Sequence, residues 1–163
     1  MSIDCVDESR DTVWRLFLTT HAKLVDLIEQ ELVQAELPPL PWYDVLSALA
    51  AAPHYQLRMH ELANAIILDC SNLTRLVDRL EAKGLVCRKT CPTDRRGSFA
   101  AITDAGLAMW QRMRPVYEQA VSNYFARYLS DAEVEILTLA LKRMQLEVVQ
   151  RKSIKQPLQR FSA

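Results

Sequence analysis

Between Ser9 and Glu36 the chain runs for 28 residues without a glycine or a proline. Val13, Trp14, Leu16, Phe17, Leu24, Leu27, Ile28 and Leu32 recur through it at helical spacing, so residues 9–36 are expected to form one helix. At 1.5 Å per residue that helix would be about 42 Å long. A chain of 163 residues builds one domain, or one domain with an extension. A core of that size cannot cover such a helix from end to end. Part of its apolar face is therefore expected to be buried by another chain. Pro38, Pro39 and Pro41 stop it.

Composition removes several classes of function. The only glycines are Gly84, Gly97 and Gly106, where about eleven would be average. At these spacings they build no phosphate loop, dinucleotide fingerprint or nucleophile elbow. So few glycines also argue against an all-β fold. No apolar run approaches the 18 residues of a membrane span. The acidic start MSIDCVDESRD is unlike a secretory or mitochondrial signal. A cytoplasmic protein is expected, with Cys5, Cys70, Cys87 and Cys91 as thiols. Cys87 and Cys91 on one strand would sit about 13 Å apart, too far for a disulfide. No His follows them at zinc spacing, and His60-Glu61 has no second His after it. Neither a metal, a cofactor nor a catalytic constellation is expected.

The remaining elements are short. Trp42–Ala51 reads as an apolar helix closed by Pro53, Tyr55–Leu57 as a strand and Met59–Ile67 as a helix. Residues 69–83 form a helix capped by Asp69 and ended by Gly84. Leu85-Val86 and Phe99–Ile102 suit two strands around a turn at Pro92, Asp94 and Gly97. Thr103 or Asp104 then caps a helix over 104–128, with Pro115 as a bend point. Ser130 and Glu133 form a capping box for a last helix, striped by Ile136, Leu137, Leu139, Ala140 and Met144. A basic, frayed tail follows Gln150.

The sharpest signal lies in 69–83. With Ser71 at zero on a helical wheel, Leu73, Leu76, Val77 and Leu80 fall between roughly 140° and 240°. Ser71, Asn72, Thr74, Arg75, Asp78 and Arg79 fill the opposite side. One face is wholly apolar, and the other offers short hydrogen-bonding groups followed by two arginines. Charge is segregated in the same direction. Residues 1–37 hold three basic against eight acidic side chains, whereas residues 83–96 hold five basic against one acidic. The zero net charge of the whole chain hides a basic centre. Such a patch is the footprint of phosphate contacts. On charge alone, a solvated surface face is the more ordinary explanation.

Helix, helix, short strand, helix, capped helix and hairpin is the order of a winged helix-turn-helix. Its second helix would fit a major groove about 12 Å wide, with Ser71, Asn72, Thr74 and Arg75 toward bases and phosphates. Arg79 could instead pair with neighbouring acids on its own helix. Arg88 and Lys89 alternate across a strand, so only one should face DNA, and Lys89 is the candidate. Arginines at the wing tip could enter a narrow minor groove.

The stretch Glu61–Gly106, ELANAIILDCSNLTRLVDRLEAKGLVCRKTCPTDRRGSFAAITDAG, resembles the core of the MarR family of bacterial transcriptional regulators. The likeness rests on Glu61-Leu62-Ala63, the run LTRLVDRLEAKGLV, the wing motif Asp94-Arg95-Arg96, and Thr103 with Gly106. Asp69-Cys70 and Ile102 depart from the usual pattern. The resemblance implies a mainly α fold, with a winged helix-turn-helix lobe and long N- and C-terminal dimerisation helices. Residues 1–37 would be the first dimerisation helix and 38–103 the DNA-binding lobe. Residues 104–150 would be the C-terminal dimerisation helices and 151–163 the tail. It implies a homodimer on double-stranded DNA with a pseudo-palindromic operator, read as a repressor. Asp94 would brace the wing, and Arg96, with Arg95 beside it, would reach the minor groove.

An effector pocket in the family lies between the dimer helices and the lobe. Trp14, Phe17, His21, Trp42 and Tyr43 are candidates to line it for a small aromatic ligand, although each also suits a plain core. Cys5 and Cys70 are candidates for an oxidant-sensing thiol, against the simpler reading of unreactive thiols. A winged protein-interaction module without sequence-specific DNA binding is the alternative function.

Overall fold

The first helix, α1, spans Glu8–Gln34. The Asp7 carboxylate starts it by accepting the Arg10 amide at 2.9 Å, which satisfies one of the free donors of the first turn. The helix ends through Glu36, at φ 54°, and the next amide, Leu37, returns to the Leu32 carbonyl at 2.9 Å. Within α1 only Ile28 and Leu32 are buried. Trp14 and Phe17 remain 56% and 49% exposed. The N-terminal half of the helix thus projects its apolar residues away from the chain's own core, as the length of the stretch demanded.

This computed structural model describes the backbone of residues 7–66, 70–91 and 94–154, and their side chains except at 70–71, 90–91, 94–97 and 148–154. The chain divides into two units, residues 1–124 and 125–163. In the first unit α1 is followed by α2, Leu40–Ala51, which begins two residues before the expected Trp42. Pro41 lies in the first turn, where its missing N–H has no helical partner to lose. Pro39 at the N-cap offers no side-chain acceptor. Glu29 of α1 supplies one instead, accepting the Leu40 amide at 3.1 Å.

A tight turn over Pro53–Tyr55 leads into β1, Gln56–Arg58, and α3, Met59–Ala65. The α3 helix stops short of the expected Ile67 because Ile66 is already extended. Asp69, the expected cap of the next helix, lies outside the described residues. That helix, α4, spans Cys70–Ala82. It closes at Gly84, whose φ of +71° is the left-handed stop that a side chain disfavours. The Gly84 amide donates to the Glu81 carbonyl at 2.8 Å and the Leu85 amide to the Leu80 carbonyl at 3.0 Å.

β2, Val86–Cys91, and β3, Asp94–Ile102, form the wing. The three strands are antiparallel in the order β1-β3-β2, so β2 is an edge. β3 is longer than the apolar pattern suggested, because main-chain pairing continues past the apolar residues. Thr90 pairs with Ser98 and Cys91 with Asp94. Residues 95–97 of β3 therefore lie between the partners of two consecutive β2 residues, an irregularity of the kind that twists a strand locally.

Helix α5, Asp104–Tyr124, runs through Pro115. It ends four residues before the expected 128, giving way to a separate turn at Ala126–Tyr128. Thr103 is its cap: Oγ1 accepts the Gly106 amide at 3.0 Å and donates to the Gly84 carbonyl at 2.6 Å. The core of this unit gathers Leu46 and Leu49 of α2 and Leu62 of α3. Leu73, Leu76, Val77 and Leu80 of α4 join them, with Val86, Ala100 and Met113. Each large aliphatic side chain so buried is worth about 1.5–3 kcal/mol.

The second unit carries α6, Asp131–Ile154, which continues past Gln150, where fraying was expected. The capping box is present: Glu133 accepts from the Ser130 amide at 2.8 Å and the Ser130 hydroxyl at 2.7 Å. Ile136, Leu137, Leu139 and Met144 along α6 are all exposed.

Candidate nucleic-acid interface

Helix α4 divides as its wheel requires. Leu73, Leu76, Val77 and Leu80 are 2% exposed or less, which fixes the helix against the core. Asn72, Thr74, Arg75, Asp78 and Arg79 are exposed on the other side. Burying four aliphatic residues in a 13-residue helix fixes its rotation, so the polar row cannot turn inward without exposing them. Asn72, Arg75, Leu76, Asp78 and Arg79, together with Pro41 from the start of α2, line an open groove of about 630 Å³. Ser71 begins the same helix, but its side chain lies outside those described.

Two neighbouring cations on β2 behave differently. Lys89 is exposed. Arg88 turns back onto α4, where one guanidinium nitrogen lies 2.6 Å from Asp78 Oδ1 and another 2.7 Å from Glu81 Oε2. The latter nitrogen donates to Glu81, and Arg88 Nη2 also donates to the Thr74 carbonyl at 3.4 Å. The Arg88 amide gives its own hydrogen to Glu81 Oε1 at 2.9 Å. An edge strand leaves such an amide without a strand partner, and the glutamate fills that place. Partial burial works against the charge of Arg88, but its bonds to Asp78 and Glu81 outweigh this and raise its pKa above the ordinary range. Of the two alternating cations, the acids of α4 engage Arg88, and Lys89, the candidate named from the sequence, is the one left exposed.

This pairing also bears on Arg79, whose own helix offers the same acids as partners. Asp78 and Glu81 are both engaged by Arg88. Among the described residues no hydrogen bond or ion pair joins Arg75 or Arg79 to another side chain. At the wing, the backbone of Asp94, Arg95 and Arg96 lies at the start of β3. Their side chains are outside those described, as are Cys5 and the side chain of Cys70.

The aromatic candidates fall into two groups. Trp14, Phe17 and His21 form a row on α1, with ring centroids 6.3 Å apart for the first pair and 6.4 Å for the second. Tyr43 is buried and stacks on Tyr117 of α5 at 4.2 Å, and Trp42 packs against the same core. Burial raises the pKa of both tyrosines. Sequence reasoning named Tyr43 but missed Tyr117. A tyrosine 74 positions away on another helix gives no local signal of the contact.

Among the described residues no helix is long and apolar enough to cross a membrane. Residues 35–97 match the sequence model of the MarR family. The chain is 36% identical over 92 residues to the HTH-type transcriptional regulator MhqR of Bacillus subtilis, covering 56% of this chain and 63% of that one. It spans about three-fifths of the length of curated relatives that it matches. Among solved structures it is similar to AbsC, a MarR family transcriptional regulator from Streptomyces coelicolor. There the TM-score is 0.82 at 27% identity, over 90% of this chain and 98% of that one. It is equally similar to Sco3205 from the same organism, a MarR family transcriptional regulator solved in complex with DNA. That TM-score is also 0.82, at 30% identity, over 88% of this chain and 90% of that one. With the sequence match centred on the lobe that holds α4 and the wing, and the fold shared almost end to end, the chain belongs to the MarR family.

Proposed function

We propose that this chain is a homodimeric, sequence-specific DNA-binding transcriptional regulator that acts as a repressor in the cytoplasm, without a catalytic step of its own. The observation that carries the reading is α4. Its four buried aliphatic residues aim Asn72, Thr74, Arg75 and Arg79 outward on one face. The relative Sco3205, of the same fold, was solved in complex with DNA. Ser71 would join the α4 contacts. Lys89 would hold a phosphate, and Arg96, with Arg95, would enter the minor groove from a wing braced by Asp94.

The homodimer is supported by the exposed apolar residues of α1 and α6. Val13, Leu16, Ile136 and Met144 are all more than half exposed, which is costly in water unless a second copy covers them. Two recognition helices would then meet half-sites about 34–36 Å apart on a pseudo-palindromic operator. A small aromatic effector, held by Trp14, Phe17 and His21 with Trp42 and Tyr43, would release DNA if it binds the non-binding conformation better. Cys5 and Cys70 remain the candidates for an oxidant signal.

Selection of the purified protein against random-sequence duplexes tests the function. An enriched inverted repeat is the expected result. Binding without enrichment of any repeat would favour a winged interaction module instead.

A further inference from the structure

The DNA-facing helix carries its own competitors for its arginines. Asp78 lies three residues from Arg75, within side-chain reach on a helix, and borders the same groove as Arg75 and Arg79. An unpaired carboxylate there would draw Arg75 sideways and would repel phosphates. Glu81, one turn further along, adds a second negative charge. The structure shows both carboxylates facing Arg88, at 2.6 Å and 2.7 Å. The Arg88 side chain is only 29% exposed, so its charge is spent inside the lobe while Lys89 beside it faces out.

We propose that Arg88 is a positioning residue of the DNA-binding surface: it masks the carboxylates of Asp78 and Glu81, and so leaves Arg75 and Arg79 to meet DNA. The proposal rests on reading α4 as the DNA-contacting helix. Arg88 touches no DNA in this account. It acts through the charge of α4, and the masking is reinforced by the Arg88 amide, which holds Glu81 in place at 2.9 Å.

The test uses an operator duplex enriched by the wild-type protein, with affinity measured by fluorescence anisotropy at several salt concentrations. Failure of the wild type to enrich any duplex would end the DNA-binding reading before variants are compared. With an operator in hand, R88Q should bind about tenfold more weakly, since a buried or partly buried charge loses its partner. The deficit should narrow as salt is raised. The triple variant R88Q/D78N/E81Q should return to within about threefold of wild type, because no carboxylate is left to mask. A triple variant as weak as R88Q would overturn the proposal, because Arg88 would then be acting through its own DNA contact or through the fold. Unchanged binding by R88Q would overturn it as well. If R88Q fails to fold, the triple variant decides alone: near-wild-type affinity supports masking, and loss of binding contradicts it.

Discussion

Gly106 and Leu85 approach so closely that a Cβ on Gly106 would lie 2.0 Å from the Leu85 carbonyl oxygen. The contact sits where the start of α5 meets the end of α4, beside the bond from Thr103 to Gly84. The same glycine ends the motif that first suggested the family. Gly106→Ala cannot be absorbed by a flexible side chain, since the clash is with backbone. Overpacking of this kind costs about 1–3 kcal/mol or more. Thermal unfolding should show a clear fall in Tm. A variant as stable as wild type would mean that α5 does not dock on Leu85 in this way.

What the sequence made visible follows the range of each interaction. The burial of α4 was readable because four aliphatic residues within eight positions state a helical face by themselves. The pairing of Arg88 was not, because its partners Asp78 and Glu81 lie ten and seven positions earlier and meet it only after the chain has turned at Gly84. The start of α2 was misplaced for a local reason: a proline reads as a stop, yet Pro41 is tolerated in the first turn. The second wing strand was read too short, since β3 begins at Asp94, where Cys91 and Thr90 pair through the main chain with Asp94 and Ser98, irrespective of hydrophobicity.

The exposed row on α1 gives a prediction about assembly. Phe17 is 49% exposed and Trp14 56%, so replacing them with charge removes little from the chain's own core. Trp14→Glu/Phe17→Glu should leave the helical circular-dichroism signal unchanged. Sedimentation at micromolar concentration should show a shift from dimer toward monomer. An unaltered dimer would place the interface elsewhere.

The capping box of α6 gives a prediction about pH. Bonds from the Ser130 hydroxyl and then the Ser130 amide hold the Glu133 carboxyl below the usual glutamate range. The folded form therefore binds fewer protons than the unfolded one, so the cap contributes fully above about pH 4.5 and is lost as pH falls. Glu133→Ala should lower helicity relative to wild type at pH 7, and the difference should close in acid. A difference independent of pH would deny Glu133 its charged role.

Arg75→Ala is the most direct measurement, because Arg75 stands exposed on the outward face of α4 and contributes nothing to the buried one. Operator affinity should fall by about 1–3 kcal/mol, and discrimination should relax at a single base-pair position, while thermal stability stays unchanged. A variant that folds normally and binds its operator as tightly and as selectively as wild type would contradict the assignment of α4 as the recognition helix.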